Sequence, residues 1–439
     1  MMNNQHHVSH YVPTINYLNH TPRRILHSKR NHDLCPTPKS RRINMLAEDE
    51  RYCSKTVFPG KGIKRHLEVP SIPSTSYGNN ESLDLCPKRK FSLPKNISNH
   101  LHYPELENGK RWDKLSKQVW DHFVNNKQSE EKYRIKMDLK DNFMNLLQHK
   151  LPNLDFESFV VGSSVSGLGS NKSDMDVCLV LPDEEVEQTD TLCILMQILR
   201  KIRDHHFIKK PQVIKAKVPI LKFTDRISGV EVDLNINNTI GVRNTQLLNC
   251  YSRMDWRVKP LVLIIKRWAK DNDINDAKNR TLSSYSLVLM LIHYLQYGCG
   301  TPVLPCLQSI VKDKFLLYTS VRSLKMQEEI PKWNSRNNQS LAELFVGFLD
   351  YYSYKFDFSK KAISVRLGCT LPKRVVMNNI SPKNNAGQWK FICIEEPFDQ
   401  TNTARSVYIQ QAFNKILNVF RTGLQMILKR KDISSLIDL

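Results

Sequence analysis

The sequence predicts an α/β lobe with a mixed sheet, followed by a mainly helical lobe and preceded by a disordered basic tail. Three observations predict this order. Residues 151–240 contain short apolar runs typical of strands around one helical segment, residues 241–439 show the apolar spacing of helices, and residues 1–108 show neither period. A chain of 439 residues is long enough for two domains with their own cores.

Apolar spacing predicts two helices within residues 112–150 and another over 191–205. Alternation and apolar runs predict strands over residues 157–161, 177–181, 213–217, 220–223 and 230–236. Further helices are predicted over residues 244–252, 257–271, 283–297, 340–353 and 405–429.

Residues 1–108 are rich in Asn, His, Pro and Ser, and they cannot bury enough apolar surface to offset the loss of chain entropy. We therefore expect this segment to be disordered. Its two basic clusters, residues 39–42 and 88–90, are consistent with nuclear import signals or weak RNA contacts. Solvated charge in a flexible tail is the favoured interpretation.

The chain is strongly basic, with 65 Lys and Arg residues, 43 Asp and Glu residues and a formal net charge of +22. An acidic polymer is the expected partner. Nucleic acid fits better than a membrane, because the longest apolar run, residues 286–297, is shorter than the roughly 18 residues of a spanning helix. No Cys-x-x-Cys pair and no signal-peptide pattern is present, so we expect an intracellular protein with reduced thiols.

The most informative stretch joins a loop of small residues to two closely spaced carboxylates. It begins at Gly162-Ser163 and ends at Asp174 and Asp176, directly before an apolar strand. Side chains two residues apart in a strand point to the same side, so both carboxylates share one face. Two such oxygen ligands can hold Mg²⁺ against a triphosphate. This pattern is typical of nucleotidyl transfer.

A third carboxylate is needed, because the attacking hydroxyl must be activated as well. Asp233 is the candidate, since Val232 and Leu234 alternate with it and predict a strand with a core face. If this strand lies beside the Asp176 strand, Asp233 joins the other two acids. In the alternative interpretation Glu231 and Asp233 merely face water; the neighbouring loop and Asp-x-Asp pattern favour catalysis.

The glycine loop differs from an ordinary P-loop, because Leu168 stands where that motif has its lysine. The phosphate contacts must then come from metal, hydroxyls and lysines elsewhere. Lys266 and Lys270 lie four residues apart, on one face of a predicted helix. They either bind phosphate or form a solvated basic face.

Residues 282–286, Leu-Ser-Ser-Tyr-Ser, begin an apolar helix. Ser283 is a good N-cap, which is a structural role. Tyr285 fits either the core or a stacking contact with a base.

The Gly162-Ser163 loop with Asp174, Asp176 and Asp233 resembles the DNA polymerase β-like nucleotidyltransferases. Downstream motifs narrow the resemblance to the terminal RNA nucleotidyltransferases with a poly(A)-polymerase-associated domain, most closely the cytoplasmic poly(A) RNA polymerases. The resemblance covers about residues 112–439. These downstream motifs are Asn244-Thr245, Lys266, Lys270, Leu282-Ser283-Ser284-Tyr285 and Glu395-Glu396-Pro397-Phe398-Asp399.

The resemblance implies a catalytic nucleotidyltransferase domain over residues 151–240 and a helical central domain over 241–439. The poly(A)-polymerase-associated region would cover about residues 338–400, and the helices of 109–150 would pack on the central domain. The implied reaction is template-independent addition of AMP from ATP to RNA 3′ ends.

The resemblance also implies residue roles. Asp174, Asp176 and Asp233 would hold Mg²⁺ or Mn²⁺, and Asp233 would help to activate the RNA 3′-hydroxyl. Ser163, Lys266, Lys270 and Ser284 would hold the triphosphate, Asn244 and Thr245 would contact the ribose, and Tyr285 would stack on the base. The full set of implied nucleotide-binding residues is Gly162, Ser163, Asn244, Thr245, Lys266, Lys270, Ser284, Tyr285, Glu396 and Asp399.

One departure bears on the choice of base. Uridine-adding relatives carry a histidine in the base-facing loop, whereas residues 399–405 here contain none. ATP is therefore favoured over UTP. The alternatives are a uridylyltransferase or mixed-nucleotide enzyme of the same fold, and an RNA-binding scaffold without activity.

The sequence contains no RNA-recognition motif, KH signature or zinc finger with which to read a sequence. The resemblance implies mRNA 3′ ends as substrate and a separate sequence-specific RNA-binding protein for recruitment. It also implies a cytoplasmic location, with a nuclear share left open, and no membrane partner.

Overall fold

The computed structural model describes residues 109–182 and 188–437. The predicted tail of residues 1–108 lies outside this part of the chain. Among the described residues, no helix combines the length and apolar character that crossing a bilayer requires.

The described residues begin with two helices, followed by a strand-rich part and then a helix-rich part. The strands are β1 (Glu157–Val161), β2 (Met175–Val180), β3 (Ile208–Ile214), β4 (Ile220–Asp225), β5 (Glu231–Ile236), β6 (Lys361–Ser364), β7 (Cys369–Pro372) and β8 (Ile394–Glu395). The α-helices are α1 (Asp113–Asn126), α2 (Glu130–Lys150), α3 (Ser163–Ser166), α4 (Gln188–Ile202), α5 (Thr239–Met254), α6 (Val258–Asp271), α7 (Ser284–His293), α8 (Leu307–Ile310), α9 (Leu341–Asp350), α10 (Lys373–Met377) and α11 (Gln410–Arg430).

The first five strands form one mixed sheet in the order β1-β2-β5-β4-β3. Strands β2 and β5 are parallel neighbours, and the other pairs are antiparallel. Alternation places one set of side chains in a core with α2 and α4, including Val177, Leu234 and Phe223. On the other face, Cys178 and Val180 pack with Val161 and Val242, and polar side chains lie where β2, β5 and β4 run beside Asp176.

Helix α2 differs from the expectation that both helices of residues 109–150 pack on the central domain. Its apolar face, with Phe143 and Leu147, lies in the core of the five-stranded sheet, and the Phe143 and Phe223 rings are 4.8 Å apart. Helix α1 packs in the helical core through Leu115 and Val119. The connection between α1 and α2 therefore joins the two cores.

The helical part is built around Trp268, Phe348 and Phe420, which pack edge to face or tilted. Helices α7 and α9 each end in a π-helical turn, Tyr294–Gly298 and Tyr351–Lys355. The helices predicted over 283–297 and 340–353 are therefore α-helical at first and π-helical in their last turn.

Several predicted elements differ in extent from the observed ones. The predicted strand 213–217 is β3 at residues 208–214, because its antiparallel pairing with β4 ends at Ile214 opposite Ile220 and the chain turns between them. The predicted helix 405–429 begins only at Gln410, after a buried turn around Ala404. The small sheet β7-β6-β8 was not predicted, because its strands of two to four residues are too short for a visible period. The predicted fold class, an α/β lobe with a mixed sheet and a mainly helical lobe, is confirmed.

Candidate active site

The three predicted acids lie on one face of the five-stranded sheet. Asp176 and Asp233 are direct partners in the parallel register of β2 and β5. Asp174 precedes Asp176 by two residues, so it belongs to the same face, while Met175 between them is fully buried on the other side. Strand pairing therefore brings together two carboxylates that are far apart in the sequence.

The backbone of Gly162 lies against the Asp176 carboxylate. Its φ of +76° is disfavoured for residues with a side chain, and a Cβ there would overlap the Asp176 carboxylate. The Thr245 hydroxyl accepts a hydrogen bond from the Gly162 amide at 2.8 Å and donates to the Gly241 carbonyl at 2.7 Å. Thr245 therefore fixes the loop. The ribose contact implied for Thr245 stays a prediction.

A buried lysine, Lys136, also stabilises the loop that begins at Gly162. Lys136 on α2 has no exposed surface, and its amino group donates to Gln128 Oε1 at 2.7 Å and to Ser164 Oγ at 2.8 Å. Ser164 Oγ in turn donates to the Asp174 carbonyl at 2.9 Å. Burial, with a smaller effect of Lys132, lowers the pKa of Lys136 to about 8. Helix α2 thus sets the backbone position of the first acid.

Burial and neighbouring carboxylates raise the pKa of Asp176 and of Asp233. Burial, together with the charges of Asp233 and Asp174, raises the pKa of Asp176 to about 7. Burial also raises the pKa of Asp233, against the opposing effect of Lys222. Lys222 lies opposite Asp233 in the pairing of β4 with β5, with its amino nitrogen 3.2 Å from Asp233 Oδ1. Converging carboxylates with unfavourable mutual repulsion suit a hard divalent cation, which prefers oxygen ligands.

The predicted triphosphate contacts occupy different surroundings. Lys266 on α6 is half-buried, with its amino group 3.5 Å from the Leu168 carbonyl in the loop after α3. Burial lowers the pKa of Lys266, and the charge of Asp176 opposes this. Lys270, one turn further along α6, is exposed. The structure therefore brings Lys266 to the loop between α3 and Asp174 and leaves Lys270 at the surface.

The two predicted serines lie at helix starts. Ser163 is the first residue of α3, directly after Gly162. Ser284 is exposed at the start of α7 and donates to Asn275 Oδ1 at 3.0 Å. Ser283 caps α7 by accepting from the Ser286 amide, as expected for an N-cap.

Asn244, Tyr285 and Glu396 form a second polar group. The Tyr285 hydroxyl lies 2.6 Å from Asn244 Oδ1 and 3.2 Å from Glu396 Oε1, so α5, α7 and the segment after β8 meet there. Glu396 is 4% exposed and accepts from the backbone amides of Phe398 and Asp399. Burial and the Asp399 charge raise the pKa of Glu396 to about 7.

The segment around Asp399 is held by hydrogen bonds within it and from Asn379 and Ser381, which donate to the Gln400 and Asp399 carbonyls. Asp399 Oδ1 accepts from the amide and the hydroxyl of Thr401, at 3.0 and 2.7 Å. Glu395 is buried and paired with Arg366 at 2.7 Å, which is a structural contact.

The sequence reasoning missed three residues of this site: Lys222, Lys136 and Ser164. The sequence does point to Lys222, because it lies between the apolar strand residues Leu221 and Phe223 and therefore faces the other side of the sheet. Lys136 could have been noticed as a cation in line with the apolar face of α2. Ser164 was hidden among the other small residues of the loop.

Comparisons with known proteins agree with this geometry. Residues 115–253 match the model of the poly(A) RNA polymerase, mitochondrial-like, central palm domain, and residues 340–402 match that of the Cid1 family poly A polymerase. The chain is 38% identical over 415 residues to the poly(A) RNA polymerase GLD2 of Danio rerio, covering 92% of this chain and 78% of the relative. It is 39% identical to the gld-2 homolog A of Drosophila melanogaster, but spans only 27% of that relative's length.

Solved structures show the same likeness. A structure of the GLD-2/RNP-8 complex matches with a TM-score of 0.67 and 37% identity, covering 75% of this chain and 99% of the matched chain. A structure of a mutant Cid1 poly(U) polymerase bound to MgATP matches with a TM-score of 0.58 and 28% identity, over 72% of this chain and 95% of the matched chain. The chain therefore belongs to the GLD2 family of poly(A) RNA polymerases, which are RNA nucleotidyltransferases.

Proposed function

We propose that this protein adds AMP residues from ATP to RNA 3′ ends without a template. The observation that carries the proposal is the meeting of Asp174, Asp176 and Asp233 on one sheet face beside the Gly162-Ser163 loop. The net charge of +22 suits a polyanionic substrate.

We propose Mg²⁺ as the metal, with Mn²⁺ as a substitute. Two matched Cid1 structures are described as bound to MgATP and MgGTP. The three carboxylates supply the oxygen donors that such an ion needs, and the lack of a side chain at Gly162 lets the loop lie against Asp176. When bound, the metal would stabilise the negative charge that develops during phosphoryl transfer.

In the proposed reaction the RNA 3′-hydroxyl oxygen forms a bond to the α-phosphorus of ATP, and the bond to pyrophosphate breaks. Asp233 is placed to receive the hydroxyl proton, because it faces the same side as the other two acids. Lys266 and Ser163, beside the loop, would orient the triphosphate, with Lys270 and Ser284 at its exposed end. The chain thus supplies positioning and charge.

Base recognition would use the Asn244–Tyr285–Glu396 group, with Asn244 near the ribose and Tyr285 against the base. Residues 399–405 contain no histidine, which supports ATP over UTP. The likeness to a poly(U) polymerase makes uridylyl transfer the second candidate.

Recruitment to particular mRNAs would depend on a second protein. Two matched structures are complexes, one of GLD-2 with RNP-8 and one of GLD-2 with GLD-3. We propose a separate RNA-binding partner of this kind and a cytoplasmic location, which imaging of the tagged chain would test.

The activity is tested with purified protein, a short RNA with a free 3′-hydroxyl, Mg²⁺ or Mn²⁺, and each of the four nucleotides separately. We expect a ladder of products with ATP. A ladder with UTP alone would replace adenylyl by uridylyl transfer and retain the mechanism. No product with any nucleotide, even with tethered RNA, would favour an inactive RNA-binding scaffold.

A further inference from the structure

Lys222 places a positive charge among the acids that are proposed to hold the metal. Its amino nitrogen lies 3.2 Å from Asp233 Oδ1 and 3.6 Å from Asp174 Oδ2. The lysine cannot turn to the other face of the sheet, because its strand neighbours Leu221 and Phe223 are buried in the core there. Its position among the carboxylates is therefore a consequence of strand register.

A fourth carboxylate holds the same lysine from outside the three proposed metal ligands. Glu231 Oε2 lies 2.6 Å from the Lys222 amino nitrogen, closer than either aspartate. Glu231 precedes Asp233 by two residues on β5, so both carboxylates face the same side. We call the carboxylates of Asp174, Asp176 and Asp233 the acid cluster. The Glu231 side chain is 48% exposed, so its contact with Lys222 lies at the solvent-exposed edge of this cluster.

Lys222 remains a cation in these surroundings. Burial by itself lowers its pKa, but the hydrogen bond with Glu231 and the charges of Asp233 and Asp174 raise it above the usual value for lysine. The ammonium group therefore offsets part of the repulsion among the carboxylates.

A divalent cation and the ammonium group of Lys222 compete for the same oxygens. Both need lone pairs of Asp233 and Asp174, and their charges repel at the short distances involved. Glu231 offers the lysine a partner that the metal does not need. A small rotation of the long, flexible lysine side chain toward Glu231 would free the two aspartates without exposing an unpaired charge.

We propose that Lys222 is a resident counter-cation of the acid cluster and that Glu231 is its docking residue. Without metal, the lysine bridges Glu231, Asp233 and Asp174. With Mg²⁺, the lysine withdraws from the aspartates to Glu231. The inference rests on the proposed function, since it needs Asp174 and Asp233 to be metal ligands.

The test measures Mg²⁺ binding to the full chain in the absence of nucleotide and RNA, by calorimetry and by the rise in melting temperature with Mg²⁺ concentration. Lys222→Met should bind Mg²⁺ about tenfold more tightly than the wild type, since one unit charge near a divalent ion is removed. Its melting temperature without metal should be lower than that of the wild type, and Mg²⁺ should restore most of the difference. Lys209→Met, which removes a cation from an exposed position of β3, is the matched control and should change neither quantity.

The second arm separates the docking role of Glu231 from its charge. Glu231→Gln should weaken Mg²⁺ binding, because the lysine then stays on the aspartates. In the Lys222→Met background the same substitution should have little effect, since there is no lysine left to dock. A plain charge effect would instead weaken binding equally in both backgrounds, and this additivity would overturn the docking role.

Two results separate this inference from the proposed function. A wild-type protein that shows no response to Mg²⁺ would overturn the metal site and this inference with it. A responsive wild type with unchanged binding in a cooperatively melting Lys222→Met variant would overturn the inference alone. If Lys222→Met does not fold, Glu231→Gln decides: binding as tight as in the wild type contradicts the proposal.

Discussion

The buried polar atoms of the acid cluster on the sheet and of the Asn244–Tyr285–Glu396 group are stabilised in different ways. The acid cluster gathers like charges on adjacent strands and offsets them with the positive charge of Lys222. The second group joins neutral donors and acceptors with one carboxyl whose pKa burial raises to about 7. The first site is thus poised to take up a cation, whereas the second is complete without one.

The largest expected effect comes from removing one charge of the acid cluster. Asp176→Asn should lower AMP incorporation by about a thousandfold or more, which equals about 4 kcal/mol of transition-state stabilisation. The variant should melt at or above the wild-type temperature at pH 8, because the charge of Asp176 is buried beside Asp233 and Asp174. Primer-extension rates and thermal melts measure the two effects. Asp138→Asn, at an exposed position of α2, should behave as the wild type; retained activity in Asp176→Asn would contradict the metal-site assignment.

Glu396→Gln tests the second group through the pH dependence of the free energy of unfolding. The pKa of Glu396 is raised from 4.5 to about 7, so the folded protein holds this proton more tightly than the unfolded chain. The stability gained from the protonated carboxyl is fully present below about pH 4.5 and is lost as the pH rises toward 7. The free energy of unfolding of the variant, relative to the wild type, should therefore rise by about 3 kcal/mol between pH 4.5 and pH 8.

Denaturant unfolding at a series of pH values measures this difference. Glu329→Gln, at an exposed position, is the control and should show no such trend. A difference between Glu396→Gln and the wild type that stays constant with pH would show that folding does not raise the pKa of Glu396.

Tyr285→Phe tests whether the hydroxyl or the ring of Tyr285 matters more. The variant removes the hydroxyl that lies 2.6 Å from Asn244 Oδ1 and 3.2 Å from Glu396 Oε1, which should cost about 1–2 kcal/mol of stability. The ring remains for stacking, so incorporation should continue with a several-fold higher KM for ATP. Steady-state kinetics and denaturant unfolding measure both effects. Tyr354→Phe, at a 58% exposed tyrosine, is the control; equal effects in the two variants would remove the special role of the Tyr285 hydroxyl.

Thr245→Val carries the smallest expected effect. Thr245 follows Asn244 of the second group in the sequence and contacts Gly162 beside the acid cluster. The substitution removes the acceptor of the Gly162 amide while keeping the side-chain shape, at a cost of about 1 kcal/mol. Because Gly162 lies against Asp176, kcat should fall more than the KM for ATP changes. Thr245→Ser, which retains the hydroxyl, should recover kcat. A change confined to KM would instead support the ribose contact expected from the sequence.

Much of the acid cluster could be read from the sequence, because it depends on local patterns. The two-residue spacing of Asp174 and Asp176 fixes their common face in any strand, and the alternation around Asp233 does the same for the third acid. The resemblance to poly(A) RNA polymerases, carried by these motifs, is confirmed by the relatives. The particular roles of the nucleotide-binding residues stay predictions.

Other features could not be read in this way. Helix α2 has an apolar face that would suit either lobe, and only packing assigns it to the sheet. The Tyr285 contacts join residues 41 and 111 positions apart, and no local period records such distances.

The sequence by itself determined the strand faces, the glycine at the acids and the family, since each follows from short-range geometry or from motif identity. The tertiary structure alone decided that Lys222 lies among the acids, that Lys136 supports their loop and that Thr245 fixes Gly162. The physical reason is that strand register and helix packing are set by burial summed over many distant residues. A polar side chain acquires its partner only after that burial has placed the two elements together.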